Sequence, residues 1–187
     1  MAGKKTKNNQ GGVISKKITH VFLGRFSPIH KGHQMIIEKM LALYGVKNCL
    51  LLVGSSNSLN IRTPFSFTVR QLMIKTLYPK LRVLPLPDST PNLVKFSKQG
   101  DEVWLTNIKK LESKLGTIFH FVGGSKKDLK TLGGKFHTEV LIARHTRGRR
   151  VSATKVRALL LTGDIMKLGK LMDKAIIKIA KKQLKKD

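Results

Sequence analysis

"ITHVFLGRFSPIHKGHQMIIEKMLALYG", residues 18–45, decides the fold class. Its first seven residues are a short β-rich apolar run ending in Gly24. From His33 onward, Ile36, Ile37, Met40 and Leu41 fall at helical spacing until Gly45 stops the pattern. The stretch therefore reads as strand, polar loop, helix. The loop, "GRFSPIHKGH" (24–33), sets His30 and His33 three residues apart, behind Arg25 and between glycines. The start of the following helix offers unpaired backbone N–H groups and a partial positive charge, which favour an anion. Imidazole donors on His30 and His33 and the permanent cation of Arg25 add to that preference. Gly24 is expected to permit a tight turn, Gly32 to let a bulky ligand approach the first helical turn, and Pro28 to stiffen the loop.

The same alternation continues along the chain. "NCLLLVGSS" (48–56) is a continuous apolar run of the kind buried on both faces of a sheet. "TPFSFTVRQLMIKTLYP" (63–79) follows as a helix, with Pro64 near its start and Pro79 beyond its end. "LRVLPLPD" (81–88), "TIFHFVGGS" (117–125) and "TEVLIARH" (138–145) read as strands, and "VWLTNIKKLESKLG" (103–116) as a helix. Strands alternating with helices imply right-handed crossovers, hence a Rossmann-like doubly wound parallel α/β sheet over residues 17–164. Ligands of such sheets bind beyond the carboxyl ends of the strands. The histidine loop lies at that edge, together with "GSSNSLNIRTPF" (54–65), "PDSTPN" (87–92) and "GGSKKD" (123–128).

The C-terminal part changes character. In "RRVSATKVRALLLTGD" (149–164), Ser152 is a plausible N-cap, Val156, Leu159 and Leu160 share a helical face, and Gly163 is the stop. Asp164 then caps a basic C-terminal helix (165–187), expected to pack by Leu168, Leu171, Met172, Ala175, Ile176 and Ile179 with its lysines in water. Residues 1–16 lack periodicity and read as a basic disordered arm.

Composition bounds the function classes. The 187 residues suit one domain, and 37 Lys+Arg against 10 Asp+Glu give a formal +27, which points to polyanionic partners. Cys49, the single cysteine, sits in a core-like run and reads as a reduced buried thiol. No apolar stretch approaches the roughly 20 residues a membrane helix needs, and no signal-type segment is present, so a cytoplasmic location is expected. Metal ligation by His30 and His33 lacks a third ligand nearby, and hydrolytic chemistry lacks both a nucleophile and an orienting carboxylate.

"GRFSPIHKGH" resembles the H-x-G-H signature of the nucleotidylyltransferase superfamily, and "VSATKVR" (151–157) resembles its I-S-x-T-x-x-R signature. Within it, "GSSNSLNIRTPFSFTVR" (54–70) and "LPLPD" followed by "WLTNIKKL" (104–111) are similar to segments of archaeal-type nicotinamide-nucleotide adenylyltransferases. The likeness runs from about Thr19 to Met172, with departures: Val69 replaces a usual glutamate, Ser27 a glutamine and Ala153 a glycine, and "STPNLVKFSKQGDEV" (89–103) is inserted.

The resemblance implies adenylyl transfer from ATP to nicotinamide mononucleotide. Within that reading His30, His33 and Arg157 are catalytic; Gly24, Arg25, Phe26, Lys31, Gly123, Gly124, Ser152 and Thr154 hold ATP; and Ser55, Arg70, Asp88, Trp104 and Asn107 hold the mononucleotide. Arg70 is read either as a phosphate clamp or as a support for the sheet-edge loop, and Arg149 and Arg150 either as phosphate contacts or as general basic surface. Mg²⁺ is expected to bind through the ATP phosphates. The alternatives are a sister enzyme with another phosphorylated acceptor, or a basic nucleic-acid-binding protein. RNA or acidic surfaces are expected as secondary partners of the basic termini, and a homo-oligomer is compatible with the chain.

Overall fold

The computed structural model describes residues 16–91, 98–142 and 151–185. The arm over 1–15, the middle of the inserted segment (92–97), residues 143–145 of the last predicted strand, and Arg149 and Arg150 lie outside the described residues. Five strands, β1 (Lys17–Gly24), β2 (Cys49–Gly54), β3 (Arg82–Leu86), β4 (Thr117–Gly123) and β5 (His137–Val140), form one parallel sheet in the order β3-β2-β1-β4-β5. The chain winds outward from β1 to β3, then restarts on the other side of β1. The order therefore reverses between β1 and β4, which opens a crevice past their carboxyl ends. The helices are α1 (Lys31–Tyr44), α2 (Phe67–Leu77), α3 (Lys98–Lys114), α4 (Lys126–Leu129), α5 (Ala153–Thr162), α6 (Ile165–Leu171) and α7 (Lys174–Leu184). Among the described residues no helix is long and apolar enough to cross a membrane.

Alternation along the strands divides them between two cores. Phe22, Leu51 and Val53 pack with residues of α1, α2, α5, α6 and α7, whereas Val21, Leu50 and Leu52 pack with Leu105 and Ile108 of α3 and Leu129 of α4. All six residues of β2 are buried, which explains its unbroken apolar sequence. Each such leucine contributes about 1.5–3 kcal/mol by leaving water. Cys49 is buried as expected; its Sγ lies 3.6 Å from the Met40 carbonyl, and burial pushes its pKa up to about 11.

Capping chemistry sets the helix limits. The Ser66 and Ser152 side chains accept from the N–H groups of Val69 and Lys155, starting α2 and α5, and Gly163 ends α5 in the left-handed region at φ 74°. Several boundaries differ from the sequence expectation: β5 stops at Val140, well short of the 138–145 strand, and two segments differ more. α3 begins at Lys98 rather than 103, so the end of the insertion is helical, with Asp101 favourably placed in its first turn. The segment after Asp164 is two helices: Met172 is extended, and Asp173 caps α7 by accepting from Ala175 N at 2.9 Å. Apolar spacing persists across this break, so periodicity alone does not register it.

A histidine row crosses the sheet away from the crevice. His20, His120 and His137 are paired in register on β1, β4 and β5; Tyr44 stacks on His20 at 3.4 Å and donates to Glu139 Oε2 at 2.8 Å. Burial first, then the neighbouring imidazole, lowers the pKa of His20 and of His120, against the opposing pull of Glu139 on both and of Glu112 on His120. The native state therefore holds fewer protons here than the unfolded chain. This stabilisation is present above the ordinary histidine value and is lost as pH falls through the lowered ones. The melting temperature is expected to drop by a few degrees between about pH 7.5 and 5.5. In His120→Gln the slope should flatten; an unchanged slope would locate the proton uptake elsewhere.

Candidate active site

The backbone leaves β1 at Gly24 and folds back on itself. Phe26 takes φ 48°, the Ser27–Pro28 peptide is cis, and the Phe26 ring covers Gly24, where a Cβ would come within 3.0 Å of it. Gly24 is therefore needed for close approach, and the left-handed residue is Phe26, not the glycine the sequence suggested. A bulky residue at positive φ costs on the order of 1–3 kcal/mol. Burial of the ring edge-on against Phe22 at 5.3 Å and against His33 at 5.0 Å opposes that cost.

His30 is the N-cap of α1 and His33 lies in its first turn; both are buried, with rings stacked at 3.7 Å. The His30 backbone N–H donates to His33 Nδ1 at 3.3 Å, which leaves Nε2 as the proton-bearing nitrogen of a neutral ring. Gly32 serves the same arrangement. A Cβ there would lie 3.1 Å from His30 Cε1, so its smallness leaves room for the imidazole.

The second signature meets the first across the crevice. Arg157 Nη1 on α5 donates to the Ser27 carbonyl at 3.0 Å, and Nη2 to Thr154 Oγ1 at 3.3 Å. As a result His30 and His33 share with Ser152, Thr154 and Arg157 the wall of one cavity of about 630 Å³. Arg25 and Arg62 line it too. Burial lowers the pKa of Arg25, with Arg62 repelling it and Asp88 opposing the shift; Arg157 is lowered by burial and then by Arg25 and Arg62. Three mutually repelling guanidiniums facing one space make a receptor for a polyanion.

Trp104 of α3 forms another wall, with Asp101 one turn earlier on the same helix and Asp88 from the end of β3. Asp88 is held in place: its carboxylate accepts from Ser58 Oγ at 3.3 Å, and its backbone pairs with the Asn57 amide at 2.8 and 3.0 Å. Gly24, Phe26, Ser55 and Gly123 complete the expected residues found on the cavity wall.

Four expected site residues are not on that wall. Arg70 is wholly buried beneath it, donating to the carbonyls of Arg25, Gly54, Ser55 and Ser66 at 2.9–3.4 Å, the geometry of a support for the sheet-edge loops. Burial lowers its pKa to about 10, partly offset by Asp88. Lys31 Nζ donates to the Gly169 carbonyl at 3.2 Å and ties α1 to α6, while Gly124 is buried and Asn107 lies half-buried on α3, one turn past Trp104. Conversely, Arg62, Asp101 and Asp128 line the cavity without having been anticipated. Arg62 is the single cation of "GSSNSLNIRTPF" and Asp101 precedes Trp104 by three helical positions, so a signal for each existed. Among the described residues no three His, Cys, Asp or Glu side chains are grouped as metal ligands. A cation carried on phosphate oxygens fits this donor set better than one caged by protein.

The sequence profile of a family described as cytidylyltransferase-like matches residues 21–159. A nicotinamide-nucleotide adenylyltransferase of Thermoplasma acidophilum is 27% identical over 114 residues, covering 56% of this chain and 56% of that one, so the match spans little more than half of the relative. Among solved structures, the fold is similar to a bifunctional NMN adenylyltransferase/ADP-ribose pyrophosphatase of Francisella tularensis complexed with AMP and a manganese ion. The TM-score is 0.59 at 23% identity, over 90% of this chain and 52% of that one. It is equally similar, at a TM-score of 0.59 and 16% identity, to the nicotinic acid mononucleotide adenylyltransferase of Plasmodium falciparum complexed with NaAD, over 87% of this chain and 94% of that one. At these identities the structural likeness is one of fold.

Proposed function

The chain belongs to the cytidylyltransferase-like family, and from that premise we propose that it joins ATP to nicotinamide mononucleotide, giving NAD and pyrophosphate. The observation that carries this reading is the meeting of the His30/His33 loop and the Ser152-capped helix around one cavity lined by three guanidiniums. The mononucleotide phosphate oxygen attacks the α-phosphorus of ATP in line. A new P–O bond forms as the bond to the β-bridging oxygen breaks, and pyrophosphate leaves with the electron pair. The attacking oxygen is already anionic near neutral pH, so no protein base is needed, and rate comes from alignment and charge stabilisation.

In this reading the Nε2–H of His33 and the ring of His30 face the α- and β-phosphates, where charge builds as the bond breaks. Ser152, Thr154 and the N-terminal end of α5 hold the β- and γ-phosphates, the helix dipole being oriented to favour them. Arg157 bridges the two loops while presenting its charge to the leaving group, and Arg25 and Arg62 neutralise the remainder. Mg²⁺ bound to the ATP phosphates would supply further neutralisation of their oxygens. Trp104 stacks on the nicotinamide ring, with Asp88 and Asp101 around it.

Pyrophosphate release from MgATP, measured across nicotinamide mononucleotide, nicotinate mononucleotide and other phosphorylated acceptors, with CTP replacing ATP in a parallel series, tests the proposal. Release is expected with ATP and a pyridine mononucleotide; turnover with CTP alone, or with none of these acceptors, overturns it. Trp104→Ala is expected to raise KM for the mononucleotide about three- to tenfold, the worth of one aromatic stack, with little change for ATP. Equal changes in both constants would remove the stacking role.

A further inference from the structure

The cavity accounts for little of the positive charge. ATP and a mononucleotide need few cations, whereas the chain carries a formal +27, and such excess costs compactness through self-repulsion unless a polyanion relieves it. A dense part of that surplus is on α7, whose residues segregate by face. Ile176, Ile177 and Ala180 are buried in the core; Lys174, Lys178, Lys182 and Lys185 are exposed and Lys181 is half-exposed. At 100° per residue these five lysines fall in one stripe opposite the buried face, running about 16 Å along the helix axis. α6 adds Lys167 and Lys170. Among the described residues the ion pairs are Lys109–Glu112 and Lys167–Asp164, and none involves a lysine of α7. The i,i+4 repulsion along the stripe is thus left uncompensated.

We propose that the lysine face of α7 is a docking surface for the phosphate backbone of nucleic acid, bound without regard to base sequence. The structure favours this partner over insertion into an anionic membrane, because an interfacial helix buries its apolar face in lipid and Ile176, Ile177 and Ala180 of α7 are already buried in the core. What remains outward is cationic, which is sufficient for phosphate contacts released by salt. Beside the stripe, Val69 and Leu72 of α2 and Lys178, Ile179, Lys182 and Gln183 of α7 line a groove, an apolar surface next to two of the lysines. No residue of α6 or α7 lines the candidate active site, so docking and adenylyl transfer are separable.

The test is fluorescence anisotropy of a labelled 20-nucleotide oligouridine across a salt series, comparing two charge-matched variants. One replaces Lys174, Lys178, Lys182 and Lys185 with glutamine; the other replaces Lys39, Lys47, Lys110 and Lys114, exposed lysines elsewhere. The α7 variant should bind at least about tenfold more weakly, with a log–log salt slope shallower by roughly 3, since each neutralised phosphate of a single strand contributes about 0.7. The control variant should lose much less, and circular dichroism should be native in both. Equal losses in the two variants would mean that net charge, not α7, binds the oligomer. An unchanged α7 variant overturns the proposal. So does α7-dependent binding to phosphatidylserine vesicles that is tighter than binding to the oligomer.

Discussion

His33→Ala is expected to slow adenylyl transfer by about 10²–10³-fold, with most of the loss in kcat, because a donor aimed at developing charge acts in the transition state rather than on bound substrate. The structure explains why this nitrogen is singled out. The His30 N–H donates to Nδ1 at 3.3 Å, and Phe26 and the His30 ring hold the imidazole from two sides, so its orientation is fixed before substrate arrives. Water could offer the same donor but would need reorienting at the moment of reaction. His33→Asn, which keeps a shorter donor, should recover part of the rate, and circular dichroism separates misfolding from lost chemistry. A natively folded His33→Ala enzyme turning over at the parental rate would take His33 out of the reaction.

Arg70→Met should be the most destabilising single change in the sheet-edge loops, costing about 3–5 kcal/mol. The guanidinium bonds to four carbonyls from three places: Arg25 after β1, Gly54 and Ser55 at the end of β2, and Ser66 at the cap of α2. Methionine fills comparable volume but leaves buried acceptors without donors, and two loops that form the cavity lose their common tie. The melting temperature should fall on the order of 10 °C. Arg70→Lys should restore only part of it, because an ammonium group lacks the planar fork that reaches several acceptors at once. If the lysine variant unfolds at the same denaturant concentration as the parent, the fork geometry is irrelevant. The position before Arg70 is Val69, where the resembling family usually carries glutamate, and all four of the guanidinium's acceptors are backbone carbonyls.

The contrast between His33 and Arg70 shows what a linear reading can reach. His33 was legible because its partners are local: the glycines, the second histidine and the helix start are all within ten residues. Arg70 was ambiguous because a conspicuous cation near a phosphate-binding edge has the same local sequence whether it faces the ligand or the carbonyls beneath it. Asp101 lies outside the apolar pattern of the helix, which starts only at 103, and its place one turn before Trp104 follows from a helix that begins at Lys98. Gly24 and Gly32 are conspicuous in sequence, but that the atoms nearest them belong to Phe26 and to the His30 ring is visible only in the fold.

Alternating strand and helix periodicities, the capping serines and the histidine loop determined an α/β fold with a polar edge, because each arises from interactions within a few residues. The order β3-β2-β1-β4-β5, the pairing of Arg157 with Ser27 across 130 residues, and the division of cations between cavity wall and buried support were decided only by the tertiary structure. Burial and long-range hydrogen bonding have no local sequence mark: the same arginine is a ligand or a brace according to what the rest of the chain folds against it.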